Sequence, residues 1–158
     1  MRRCRGWREV RSSVSDVIAA LVAALNSAGV PAVDGAIVSD ASSSEAVVIG
    51  WVSAEDGTGV VQGVSTVDGG GPAPAHESYT IRCGILVNDG NASRLPAARD
   101  RACQLYGQIG QVLAEDPTLG GLATLVNLSD FSLDQVQDAA GATVTIAFGV
   151  AVDAYTRT

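Results

Sequence analysis

The chain has a single histidine, His76, directly beside Glu77. Proton transfer or metal ligation near neutral pH is most often built from such groups. Either needs a third participant, and no Cys, second His or further acid stands near this pair, which ends a Pro-rich stretch. Neither chemistry is therefore expected of His76. The serines Ser12, Ser13, Ser42, Ser43 and Ser44 have no base to activate a hydroxyl, and no G-x-S-x-G elbow occurs. Asp68-Gly69-Gly70-Gly71 has the glycine content of a phosphate loop but not its G-K-[ST] ending, and all ten basic residues are Arg. Glu55-Asp56 and Glu115-Asp116 pair acids that suit a hard cation. The spacing of a calcium loop is missing, so they read as solvated turn acids. Cys4, Cys83 and Cys103 are odd in number and widely spaced, with no CxxC, which argues against zinc. Cys83 and Cys103 read as small buried apolar residues. The sequence thus offers no catalytic, cofactor-binding or metal-ligating residue, and the chain is read as not an enzyme.

Such a chain is best understood from the elements it builds. Val14, Val17, Ile18, Leu21, Val22 and Leu25 recur at helical spacing, which predicts a helix over 13–28. Ser13 and Asp16 form an S-x-x-D cap, while Gly29 and Pro31 end the helix. A short strand is expected over 32–38. Another is expected over 46–52, with Val47, Ile49 and Trp51 on one face, Val48 and Val52 on the other, and a central place in the sheet. Residues 53–76 carry Asp56-Gly57, three successive glycines from Gly69 and Pro72-Ala73-Pro74. They read as a long loop, or a hairpin if Gly59 to Val67 pairs, and as a contact for a neighbouring subunit.

Glu77 to Asn88 alternates as a strand, with Tyr79, Ile81, Cys83, Ile85 and Val87 on one face. Ser93 is expected to cap a second helix over 93–115, whose Leu95, Ala98, Ala102, Leu105, Ile109, Val112 and Leu113 face the core. Gly107 and Gly110 each cost that helix about 1 kcal/mol relative to Ala, so a close helix–sheet contact is expected there. After the turn at Asp116-Pro117-Thr118-Leu119-Gly120-Gly121 come two long segments, Leu122 to Gln137 and Gly141 to Tyr155. In the second, Ala142, Val144, Ile146, Phe148, Val150, Val152 and Ala154 share one face. The other face is small and weakly polar, fit for water or a subunit. The fold class expected is α+β: one domain over 13–158, a mostly antiparallel β-sheet with two main helices packed on one face, preceded by a basic flexible arm over 1–12.

At 158 residues and 47% apolar content the chain can bury a real core, built from Val, Ala, Leu and Ile because aromatics are only 4%. An Arg-only basic set with abundant Ala, Gly, Val and Asp points to a high-GC coding genome. The net charge of −7 divides unevenly: residues 1–11 hold five Arg and one Glu, the rest five Arg and sixteen acids, a net of −11. An acidic body does not hold nucleic acid or an anionic membrane nonspecifically. No run of roughly 18 apolar residues occurs, so no membrane span is expected. The basic start is followed by the helical period and Asp16, with no clean cleavage site, so no signal peptide is expected. Trp7 is the one arm residue suited to docking.

These phrases together resemble the tail terminator (tail-to-head joining) family of long-tailed actinobacterial phages and prophages. The resemblance is carried by the helix Val14–Leu25 with Ala28-Gly29-Val30, by Ala46-Val47-Val48-Ile49-Gly50-Trp51, and by Glu77-Ser78-Tyr79-Thr80-Ile81-Arg82-Cys83. It continues through Ala97-Ala98-Arg99-Asp100-Arg101-Ala102, Asp116-Pro117-Thr118-Leu119-Gly120-Gly121 and Gly141-Ala142-Thr143-Val144-Thr145-Ile146-Ala147-Phe148. It spans about residues 13–156, and the Gly/Pro-rich segment 56–75 is longer than that family's pattern. It implies a virion structural protein at the head-proximal end of the tail: a ring, six-fold by the family's habit, that stops polymerisation of the tail tube. The implied partners are further copies of itself, tail tube protein, and a neck or head–tail connector protein. DNA would pass the lumen without specific binding, and Asp130, Asp134 and Asp138 are the acids expected to line or rim it. The alternatives are a connector or neck subunit of similar fold, a small α+β hydrolase or ligand-binding enzyme, and a binding module outside phages such as an acidic DNA mimic.

Overall fold

A computed structural model describes residues 10–35, 44–51, 59–67 and 74–157. The fold is α+β. Its elements are α1 (Val14–Ser27), β1 (Ala32–Asp34), β2 (Glu45–Ile49), β3 (Val61–Thr66), β4 (His76–Asp89), a 3-10 turn (Ala92–Arg94), α2 (Leu95–Glu115), β5 (Leu125–Asp138) and β6 (Gly141–Tyr155). One six-stranded sheet runs β1-β2-β4-β6-β5, and β3 also pairs with β4. Among the described strands only β1 and β2 run parallel. β2 and β3 divide one side of β4 between them, β2 along Cys83–Val87 and β3 along His76–Ile81. Among the described residues no helix is long and apolar enough to cross a membrane.

Both helices lie on one face of the sheet. Val17, Leu21 and Leu25 of α1 and Ala98, Ala102, Leu105, Ile109 and Leu113 of α2 form one core with the inward residues of β2, β4 and β6. Periodicity explains this: the 3.6-residue stripes and the two-residue alternation each gather apolar groups on one side, and burying those sides together removes them from water. Gly29, at φ 82, ends α1 as expected. Asn26 then ties the helix end to β1 by donating to the Ala32 carbonyl at 2.9 Å and accepting from its N–H at 3.2 Å.

Several local expectations are corrected. The strand expected over 32–38 stops at Asp34, and residues 36–43 lie outside the described ones. Trp51 does not share a face with Val47 and Ile49. Gly50, at φ 77, breaks the alternation, and the indole lies over Gly84 on the far face, where a β-carbon at residue 84 would stand 2.9 Å from Trp51 Cε3. Within 53–76, Val61–Thr66 is a strand paired with β4, the hairpin form of that segment. Cys83 is buried, and burial pushes its thiol up to about 12. Cys103 is exposed, because one step past Ala102 turns it off the buried stripe. Ser93 is not the cap: the Asn91 side chain accepts from Ser93 N–H at 3.0 Å. A β-carbon at Gly107 would meet nothing within 4 Å, so no close packing accounts for it, and one at Gly110 would make an ordinary 3.5 Å contact with Leu128. Of the arm expected over 1–12, residues 1–9 lie outside the described ones. Arg11 is in the fold, exchanging two backbone hydrogen bonds of 2.8 Å with Arg157.

Candidate assembly interface

The polar groups inside the molecule tie elements together. Ser13 is 0% exposed and Glu77 only 7%. The Glu77 carboxylate accepts the Ser13 hydroxyl at 2.6 Å and the Ser13 N–H at 2.9 Å, and the hydroxyl lies 3.0 Å from the Tyr79 phenol. A strand carboxylate thus takes up a free N–H at the start of α1, where the helix dipole also favours negative charge. The cap expected from Ser13 and Asp16 does not form; Asp16 instead accepts from Arg11 at 3.0 Å. Burial raises the Glu77 pKa, but the two bonds from Ser13, with Ser12 adding to them, outweigh it and leave the carboxyl below its usual range. Burial pushes the Tyr79 phenol up. The Ser13 hydroxyl is sealed from solvent, so this trio holds a helix and offers no open nucleophile. A second tie is the Arg101 fork on Glu45, with both nitrogens 2.7 Å from the carboxylate oxygens, which joins α2 to β2.

Sequence reasoning passed over Glu77 as a structural group. The signal was present: Glu77 has the inward parity of Tyr79, Ile81 and Cys83, so an acid there must be buried and partnered.

On the face away from the helices, Arg82 donates to Asp130 at 2.9 Å across Gly149. A β-carbon at residue 149 would fall 2.6 Å from Asp130 Oδ1, so the bridge needs glycine beneath it. The Arg82 bond, with the neighbouring Ser129 hydroxyl as the larger cause, lowers the Asp130 pKa. Asp134 and Asp138 stand on this same open face, opposite Thr145 and Gly141. His76 sits there too, 3.5 Å from Asp153 and edge-on to Tyr155. Of the acid pairs, Asp116 accepts from Thr118 N–H, Thr118 hydroxyl and Gly120 N–H, which lower its pKa. That turn holds Leu119 at φ 48, a strain offset by burying the Leu119 side chain. Glu115 accepts from Gln111. Ser12 accepts from Val14 N–H. Glu55-Asp56, Ser42, Ser43 and residues 68–71 lie outside the described ones, and Ser44 is exposed.

Most of the large apolar groups left in water gather at two places, with Val10, Val33 and Tyr155 elsewhere. β3 carries Val64, 68% exposed, between Val60 and Val67. β5 carries Leu125, Val136 and Phe131, the last 63% exposed although it stacks on Tyr106 at 5.3 Å. An apolar groove of about 280 Å³ runs beside β5, between Gly110, Leu113 and Pro117 on one side and Leu125 and Leu128 on the other. Among the described residues, β1, β3 and β5 each have one unpaired edge, β1 and β3 on one side of the sheet and β5 on the other. No protein-family model matches the chain, and no curated protein sequence matches it.

Proposed function

We propose that this chain is a ring-forming structural subunit of the tail terminator kind, placed at the head-proximal end of a phage tail tube in the virion. The observation that supports this reading is the pair of open, apolar-bearing sheet edges on opposite sides of one subunit. Contacts between unlike surfaces repeat head to tail and close into a ring when the rotation allows. The polar ties fit the same reading, because the buried pair Ser13 and Glu77 and the partly exposed pair Glu45 and Arg101 are engaged in holding elements together. Asp134 and Asp138, on the open face, are the acids proposed to rim the lumen. Phosphates would slide past them, because like charges do not adhere. The partners are tail tube protein below and a neck protein above.

Tail tube protein assembled with and without this chain tests the proposal. The expected result in negative stain is a ring of this protein on one end of tubes that stop growing. Tubes of unregulated length in both arms, with no particle at their ends, would refute it. Binding only on the portal side would make the chain a connector.

A further inference from the structure

We propose that the open edge of β3 in one copy pairs with the open edge of β5 in the next copy, along Phe131–Asp138, so that the sheet continues across the subunit boundary. The occupant of each edge is therefore a second copy of this chain. The inference refines the ring reading and rests on it only for closure of the cycle.

The backbone directions follow from the register. Arg82 donates to the Val60 carbonyl and accepts from Trp51 N–H, so it faces the β2 and β3 side. By alternation Gln62, Val64 and Thr66 turn toward β4, and the N–H and C=O of Gly63 and Ser65 point to the free edge. The odd-numbered residues of β4 face β6, which leaves Thr143, Thr145 and Ala147 of β6 turned to β5. Their partners are Val136, Asp134 and Ser132, so Leu133, Gln135 and Gln137 hold the outward groups of β5. Edges of this kind are ordinarily guarded by charge or proline. β3 has neither: it reads Val61-Gln62-Gly63-Val64-Ser65-Thr66.

Charge disfavours the pairing of β5 with β5. Asp130, Asp134 and Asp138 share the open face of β5, so pairing β5 with another β5 sets that acidic row against itself. Like charges on facing strands are destabilising. β3 presents only Gln62, Val64 and Thr66 on that face and raises no such barrier. The apolar groups agree as well. Val64 and Val136 both stand on the open face, and a continued sheet places these two exposed valines side by side.

The test uses the full chain with Ser65→Pro or Gln135→Pro. Each proline removes an N–H that points outward and leaves the internal ladder intact. Val64→Lys and Val136→Lys form a second pair, and circular dichroism with thermal melting checks that all four fold. In native mass spectrometry the wild type is expected to assemble, and each variant alone to lose that assembly. An equimolar mixture of Ser65→Pro with Gln135→Pro is expected to give a heterodimer and nothing larger, because one good β3 edge then meets one good β5 edge. A wild type that stays monomeric, or either variant assembling as the wild type does, overturns the pairing. So would Ser65→Pro alone forming a dimer, which marks β5 against β5, or Gln135→Pro alone doing so, which marks β3 against β3. If tubes are capped by rings that still form in both proline variants, the edge pairing fails and the terminator reading stands. If the edges pair as described but wild-type rings leave tube ends free, only the terminator reading fails.

Discussion

Strands β5 and β6 are hydrogen-bonded neighbours of nearly equal length, 14 and 15 residues. In β6 the inward residues from Ala142 to Ala154 are all buried, and several outward ones are half-covered. In β5 only Val126 is buried, and Phe131 stands in water. The cause is the position of α2. It lies across β4 and β6 and reaches β5 only along its rim, through Tyr106 on Phe131, Gly110 near Leu128 and Arg99 on Gln135. β6 is therefore a core strand and β5 a surface strand, though the two are paired with each other along almost their whole length. The pairing of a strand and the burial of its side chains are separate matters, and only burial supplies most of the stability.

The largest effect expected from this contrast is on β6. Phe148→Asp or Ile146→Asp should prevent folding, because an unpaired charge among apolar neighbours costs several kcal/mol. The equivalent change on β5, Phe131→Asp, should leave a soluble protein with a melting temperature close to the wild type. Soluble yield and thermal melting read both. If Phe148→Asp melts like the wild type, the contrast is wrong.

A smaller loss is expected at the other end of the core. Glu77→Gln keeps the shape and weakens the bonds from Ser13, at a cost of about 1.5–3 kcal/mol at neutral pH. The folded pKa of Glu77 is lowered. Its contribution is therefore fully present above the unfolded carboxyl value, about 4.3, and is lost as pH falls from there through the lower folded value. Denaturant melts at several pH values should show the gap between wild type and Glu77→Gln closing below about 4.3. A constant gap down to acid would mean that charge is not what the pair contributes.

The Arg82–Asp130 bridge should matter less, since both groups are largely exposed. Gly149→Ala inserts a β-carbon where Asp130 Oδ1 and the Thr80 methyl already stand. It should cost about 1–3 kcal/mol, the usual range for overpacking. Asp130→Asn alone should cost under about 1 kcal/mol. Equal losses in the two variants would show that the bridge, rather than the space under it, is what matters.

The smallest change is a gain. Gly107 is exposed on α2 with nothing near its missing side chain. Gly107→Ala should therefore stabilise by up to about 1 kcal/mol. A loss would show that a side chain at this position meets a neighbour.

Much of this contrast was legible in the residues, and the reasons for the rest are specific. β6 announced itself because Val144, Ile146, Phe148 and Val150 alternate with small residues over a long run. β5 read as a strand of similar length, but polar residues at Ser129, Asp130, Ser132 and Asp134 could not say how far a helix would cover it. The Ser13–Asp16 pattern is a sound local signal, overridden by Glu77, which the fold brings from 64 positions away. Trp51 changed faces because Gly50 takes a positive φ, and glycine's presence permits that without requiring it. Of the candidate interface, the acids of β5 were legible as one face through their spacing of four, and the bulge at Leu128/Phe131 did not destroy it. Of the tie that holds α1, the inward parity of Glu77 was legible, but its partner Ser13 was not, because tertiary partners leave no periodic mark.

The ladder between β4 and β6 has a consequence for how the molecule is made. Its nearest pair joins Asp89 to Ala142 and its farthest joins His76 to Tyr155. The centre of the sheet is thus among its most non-local parts, and such pairings fold slowly because long loops must close first. On the ribosome, α1, β4 and α2 emerge while the seat of β6 is still empty. Until β6 has been synthesised, the inward side of β4 has an open flank and α2 has half a surface to rest on. The sheet of this chain therefore closes only after β6 has been made, and until then the nascent chain carries the apolar inward residues of β4 with one flank uncovered.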